Sequence, residues 1–332
     1  MSPRITAKPR GGIDLGGTKI QAAVVDAKHQ VLAEARRPTP TEGGPRDVAA
    51  EMVAALEEAA SSAGVTPRRL NGVGVGSPGD VDEATGDVAQ ARNLPGWEKS
   101  FPLAATLSEQ LGAPVRVGND VSVATNAEFE LGAGREFSSL LGVFWGTGVG
   151  GGLILDGKPW LGRGAAGEIG HVVVKRNGAK CTCGRRGCME AYAGRAAMEI
   201  EARKQHKNGK KTDLFKIMEK HDRDRLTSGI WERAIEADDP LAEKLIERAI
   251  EALGAGVASA VNVIDPEAVV IGGGLGVRFG EPYVARIREQ MKPHLFSDKN
   301  PPQVSVAALG DLGGAIGAAL LVRAPVSRRR AR

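Results

Sequence analysis

The sequence has few cysteines, no long apolar run and almost no net charge, and each shortage removes a class of protein. Three cysteines in 332 residues cannot pair evenly, so the disulfide framework that staples small secreted domains is excluded. No stretch of about 18 apolar residues occurs, and Met1 to Arg10 is polar and basic without an apolar signal core. Neither a membrane span nor an export signal is therefore expected, and the expected location is the cytoplasm. The formal charge is +4, from 44 basic and 40 acidic residues. Four tail arginines, Arg328, Arg329, Arg330 and Arg332, account for the whole excess. The body is then neutral, the tail reads as a solvated end, and no nucleic-acid partner is expected.

What is present is ordinary globular material, with 42% hydrophobic and 25% charged residues, in a chain about twice the usual domain length. Two lobes are the default. Strand-like and helix-like segments alternate, which indicates an α/β architecture. Ile13-Asp-Leu15 and Ile20 to Val25 flank the turn Gly16-Gly17-Thr18-Lys19. Asp47 to Ala63 has apolar residues at helical steps, Gly72 to Val75 reads as a buried strand running into Ser77-Pro78-Gly79, and Val115 to Val117 stops at Gly118-Asn119-Asp120 before a helical stretch to Leu131. Leu140 to Trp145, the turn Gly146-Thr147-Gly148 and Val149 to Leu155 repeat the first hairpin, so a duplicated supersecondary unit is expected. A long helix from Pro240 to about Val263 leads to the strand Ala268 to Ile271 and the run Gly272-Gly273-Gly274. A strand near Val304 to Ala308 and a small-residue helix from Asp311 to Val322 close the pattern. The basic run Arg203 to Lys211 reads as a solvated helix face.

Three glycine-rich turns at strand ends let backbone N–H groups approach a phosphate, and Asp14 beside the first could hold Mg²⁺ through water. The spacing is neither that of a P-loop nor that of a dinucleotide fingerprint. Asn119-Asp120 stands where a strand ends and a helix begins; one residue can cap the helix while the other acts as a general base. All three cysteines fall in Cys181-Thr-Cys183-Gly-Arg-Arg-Gly-Cys188, ten residues after His171. His171 with Cys181, Cys183 and Cys188 makes a tetrahedral zinc set, structural because four protein ligands leave no position for water. Glu168, His171 and Glu190 border that loop and could hydrogen-bond the hydroxyls of a sugar. With one ring nitrogen of His171 on the metal, the other faces ligand.

With these motifs assembled, Asp14-x-Gly-Gly-Thr-Lys19, Asn119-Asp120, Gly146-Thr-Gly148 and Gly167-Glu-Ile-Gly-His171 followed by the cysteine run, the chain resembles the ROK family of sugar kinases and sugar-responsive repressors, nearest to its bacterial ATP-dependent glucokinases. The resemblance covers about residues 11 to 323. It implies a two-lobed actin-like fold of the hexokinase, ribonuclease H-like type, with a duplicated βββαβαβα core and a cleft between the lobes. Residues 1–119 with the C-terminal helix 311–332 would form the smaller lobe and 120–310 the larger. Asp120 is implied as the base; Asn119, Glu168, His171, Glu190 and Gly79 as sugar contacts; and Asp14, Gly16, Gly17, Thr18, Lys19, Gly146, Thr147, Gly148, Gly273 and Gly274 as nucleotide contacts. ATP, Mg²⁺ and structural Zn²⁺ are the implied cofactors, glucose or a related hexose the substrate, and a homodimer the assembly. N-acetylmannosamine, N-acetylglucosamine, fructose or allose as the acceptor, polyphosphate as the donor, and a sugar-sensing regulator in place of a kinase stay open. Thirteen residues ahead of the first glycine turn are too few for the DNA-binding domain of a repressor. Lys8-Pro9-Arg10 stands where apolar residues usually open the first strand.

Overall fold

A computed structural model describes residues 8–297 and 299–322; the arginine tail lies outside them. The chain divides into two compact units, one ending at Ala127 and taking back the chain from Leu312, the other spanning Glu128–Asp311.

In the first unit β1 (Arg10–Leu15) and β2 (Lys19–Val25) make the expected antiparallel hairpin. The chain continues through β3 (Val31–Pro38), α1 (Pro45–Ser62), β4 (Val73–Ser77), the short hairpin β5 (Asp80–Asp82) and β6 (Asp87–Ala89), α2 (Leu103–Leu111), β7 (Val115–Asn119) and the first turns of α3 (Asp120–Leu131), whose last residues belong to the second unit. The sheet order is β3-β2-β1-β4-β7, with β1, β4 and β7 parallel. β3 was not foreseen because it is an edge strand, mostly exposed and without an apolar face to betray it. Arg10 opens β1 although only 6% exposed. It is tied off: Nη2 donates to the Asp26 carbonyl at 3.2 Å and lies 2.9 Å from Nδ1 of His29. α1 sets Val48, Met52, Leu56 and Ala59 against Ile13, Leu15, Ile20 and Val75, forming the core on one face of the sheet.

The second unit runs through β8 (Leu140–Trp145), β9 (Val149–Leu155), β10 (Lys158–Pro159), α4 (Glu190–Ala193), α5 (Arg195–Lys207), α6 (Leu214–Lys220), α7 (Ser228–Glu236), α8 (Pro240–Ile264), β11 (Ala268–Gly272), α9 (Gly273–Met291) and β12 (Gln303–Val306). Its sheet order, β10-β9-β8-β11-β12, repeats the first place for place: an antiparallel hairpin with two parallel strands added beyond its first member. The duplication expected from the two glycine hairpins is therefore a duplication of topology. α8 is fixed at its start by Asp239, whose Oδ1 accepts from the Leu241 and Ala242 N–H groups at 2.9 Å while Oδ2 accepts from Asp213 N–H at 2.6 Å. Gly272-Gly273-Gly274 is not a free turn. β11 ends at Gly272 and α9 starts at Gly273, so the glycines form a strand-to-helix junction. The basic run is largely the end of α5, where Arg203 pairs with Glu199 at 2.7 Å.

α10 (Gly313–Leu320) returns to the first unit and lies across β1 and β4, on the face away from α1. Gly12 and Gly74 make this possible, since a Cβ at either would fall on the α10 backbone, at the carbonyls of Ala315 and Ala318. Among the described residues no helix is long and apolar enough to cross a membrane. Gly74→Val should destabilise the protein by about 2 kcal/mol or more through overpacking, read as a lower urea midpoint; an unchanged midpoint would refute the close approach.

Candidate functional site

In the first unit the glycine turn is held from outside, because Gly16 and Gly17 have no side chains of their own. Thr39, only 4% exposed, donates from Oγ1 to the Gly16 carbonyl at 2.7 Å and from its N–H to the Thr18 carbonyl at 3.3 Å. Gly17 faces Asn93, whose amide nitrogen would stand 2.9 Å from a Cβ there. Asp14 precedes the turn on β1. Gly314 faces its carboxyl group, whose Cγ would stand 2.6 Å from a Cβ at 314, so a bare backbone leaves that carboxylate its room.

Asn119 ends β7 and Asp120 begins α3. The Asn119 Oδ1 accepts from Ser122 N–H at 3.1 Å and from Val121 N–H at 3.2 Å, so Asn119 is the capping side chain. The Asp120 Oδ1 accepts from Val121 N–H at 2.9 Å, which fixes its carboxylate at the positive end of the helix. On β4, Gly76 lies opposite, where a Cβ would stand 3.3 Å from the Asp120 Cα. Gly79 has a backbone reason to be glycine, with φ of 93° in the turn entering β5.

In the second unit the turn Gly146-Thr147-Gly148 is gripped by the α4–α5 segment. The N–H groups of Arg195 and Ala196 donate to the carbonyls of Gly146 (3.1 Å) and Thr147 (3.0 Å). The Arg195 guanidinium donates to Thr147 Oγ1 at 2.8 Å and to the Leu226 carbonyl at 2.9 Å. Glu190 Oε2 accepts from Val149 N–H at 3.0 Å, just past the turn, and Oε1 accepts from the Thr182 hydroxyl at 3.1 Å in the cysteine loop. The start of α9 adjoins the same turn: a Cβ on Gly146 would stand 3.8 Å from the Gly274 nitrogen. Gly273 has φ of 79° and packs on the Trp145 backbone. Two of the three glycine segments thus come together with one another, beside a helix start able to receive an anion.

The cysteine loop folds back on itself. Cys181 N–H donates to the Arg185 carbonyl at 2.8 Å, and Val174 N–H to that of Gly187 at 2.9 Å. The ligand atoms of His171, Cys181, Cys183 and Cys188 all lie within 4.8 Å of one another. His171 Nδ1 is 3.8 Å from Cys181 Sγ, and the sulfurs of Cys183 and Cys188 are 3.7 Å apart. Donors bonded to one tetrahedral zinc ion stand about 3.5–3.8 Å apart, so the donor set fits a shared ion. Burial pushes the Cys181 thiol up to about 12 and raises Cys188 as well. At Cys183 burial is outweighed by hydrogen bonds from Arg185 and the neighbouring thiols, which bring it down to about 6. Sulfurs this close carry one negative charge readily and further charge only around a shared cation. The outer nitrogen of His171, Nε2, lies 3.8 Å from Oε2 of the exposed Glu168. Nδ1 faces the sulfurs and Nε2 faces away, as expected for a ligand whose second nitrogen points outward.

Thr39, Asn93, Gly314 and Arg195 were not anticipated. Arg195 carried the one available signal, a lone charge in the small apolar run Ala191 to Ala197; the others act from distant segments whose proximity only the fold creates.

The profile of the ROK family matches residues 10–325. The chain belongs to that family. A glucokinase of Thermotoga maritima is 32% identical over 94% of this chain and 96% of its own length. An N-acetylgalactosamine kinase of Shewanella sp. is 35% identical over 93% and 95%. Among solved structures, a ROK family glucokinase from Streptomyces griseus in complex with glucose and AMPPNP superposes with a TM-score of 0.82 at 32% identity, covering 94% of this chain and 98% of that one. With a ROK chain carrying a Cys₃His cluster, the purified protein should contain about one transition-metal ion per chain by elemental analysis. Cys188→Ser should lose most of it; equal metal content in that variant would remove the cluster from consideration.

Proposed function

We propose that this ROK family member is an ATP-dependent hexose kinase that phosphorylates the 6-hydroxyl of glucose. The observation that carries the reading is the division of labour at β7 and α3, where Asn119 caps the helix and Asp120 presents a carboxylate at the strand end. Asp120 takes the hydroxyl proton as the oxygen attacks the γ-phosphorus of ATP. The bond from that phosphorus to the bridging oxygen breaks and ADP leaves. N–H groups of the turns at Gly16-Gly17-Thr18 and Gly146-Thr147-Gly148 stabilise charge on the phosphates, with Lys19, Gly273 and Gly274 as further nucleotide contacts. Asp14, with Gly314 leaving room at its carboxyl group, would hold Mg²⁺ through water, which neutralises phosphate charge. Asn119, Glu168, His171 and Glu190 hold the sugar, and Gly79 shapes its surroundings.

His171, Cys181, Cys183 and Cys188 would hold zinc, which supplies bracing alone because no ligand position remains for water. On this reading the loop keeps His171 Nε2 and Glu168 aimed at the sugar hydroxyls. The ROK glucokinase seen with glucose and AMPPNP, at 32% identity, supports both the sugar and the nucleotide donor. The 35% identical N-acetylgalactosamine kinase supports a second reading, an N-acetylhexosamine as acceptor.

Asp120→Asn should lower turnover by about two orders of magnitude or more while glucose affinity stays within a few-fold; near-normal turnover would defeat the base assignment. ADP release across a panel of glucose and N-acetylhexosamines, repeated with polyphosphate replacing ATP, should be fastest with glucose and ATP. A faster N-acetylhexosamine would move the reading to the second acceptor, and no release with any sugar would end it.

A further inference from the structure

Arg195 is 8% exposed and lies behind the Gly146-Thr147-Gly148 turn. Its guanidinium donates in two directions, to Thr147 Oγ1 at 2.8 Å and to the Leu226 carbonyl at 2.9 Å. The Leu226 peptide is itself fixed, since its N–H donates to Glu199 Oε2 at 3.0 Å. Glu199 also opposes the effect of burial, which lowers the Arg195 pKa. A buried charge is costly unless it is paired and fully hydrogen-bonded. The backbone of the turn needs no guanidinium, being already held by the Arg195 and Ala196 N–H groups. The side chain therefore does something the main chain does not.

An arginine can only donate, whereas a threonine hydroxyl accepts through lone pairs and donates a single hydrogen. With Arg195 bound to Oγ1, the hydroxyl hydrogen is turned away from the guanidinium. Among the described residues no hydrogen bond takes it up. Resting on the reading of this turn as a nucleotide-phosphate contact, we propose that Arg195 is a positioning residue that locks the Thr147 hydroxyl as a donor toward a phosphate oxygen of the nucleoside triphosphate. Arg195 acts through Thr147 and touches neither substrate. A hydroxyl free to rotate would present a lone pair to the phosphate part of the time; the locked one always presents hydrogen.

The test is a double-mutant cycle of Thr147→Ala and Arg195→Met, with AMPPNP affinity measured by calorimetry and KM for ATP and for sugar measured separately. Thr147→Ala should weaken AMPPNP binding by about tenfold, as for one charge-assisted hydrogen bond. Arg195→Met should do about the same, and the double variant should be little worse than either. Sugar KM should stay within about twofold. Thr147→Ser should restore most of the loss. Arg195→Lys keeps a donor if Arg195→Met folds poorly; it should lose less than Arg195→Met does with Thr147 present, and nothing further when combined with Thr147→Ala. Losses that multiply in the double variant, or an Arg195→Met protein with wild-type affinity for AMPPNP, would overturn the positioning role. If Thr147→Ala alone leaves AMPPNP affinity unchanged, the turn is not a phosphate contact, and the underlying reading of the site falls with the proposal.

Discussion

A turn made of glycines cannot hold itself in place. Having almost no side chains, it offers N–H groups at close range but contributes little to its own packing, so its shape must be imposed by neighbours. Both units meet this constraint in the same way, with a polar side chain from a later segment. In the first unit Thr39 bonds the carbonyl of Gly16. In the second the grip is heavier: two N–H groups at the start of α5, the Arg195 guanidinium on Thr147, and Glu190 on the nitrogen of Val149. Duplicated topology thus brings a duplicated problem, answered by unrelated residues.

Glu190 extends the second answer to the cysteine loop, because its two carboxylate oxygens serve different segments. One receives Val149 N–H beside the turn and the other the Thr182 hydroxyl between two cysteines. Anything that loosens the loop therefore loosens one support of the turn, even though four protein ligands would keep a bound ion away from chemistry. Cys181 lies 3.7 Å from the same carboxylate, and burial keeps its thiol protonated in the absence of a shared cation, so losing the ion would turn a metal ligand into an S–H donor to Glu190.

Much of this was legible in the sequence because it depends on local order. Strand, glycine turn, strand is written twice within short windows, at residues 13–25 and 140–155, and the histidine and three cysteines fall within 18 positions of one another. The Asn119-Asp120 pair was legible as a junction, and the structure assigns the cap to Asn119. Illegible were the residues that act from elsewhere. Thr39 lies at the end of an exposed edge strand without an apolar face, Gly314 belongs to a helix that returns from the far end of the chain, and Gly273 reads as a turn until α9 is seen to begin there. Spacing encodes what neighbours in sequence can do together; it does not encode which distant segment will be folded against them.

The return of α10 to the first unit bears on how the protein is made. The first sheet at Gly12 and Gly74 is bare backbone against which the α10 backbone packs, and α10 is translated after the whole of Glu128–Asp311. A nascent chain must therefore carry its earliest domain half-finished through most of synthesis, while the later one already has every strand and helix it needs. The order of completion is the reverse of the order of translation, and the contacts that end folding are among the longest in sequence.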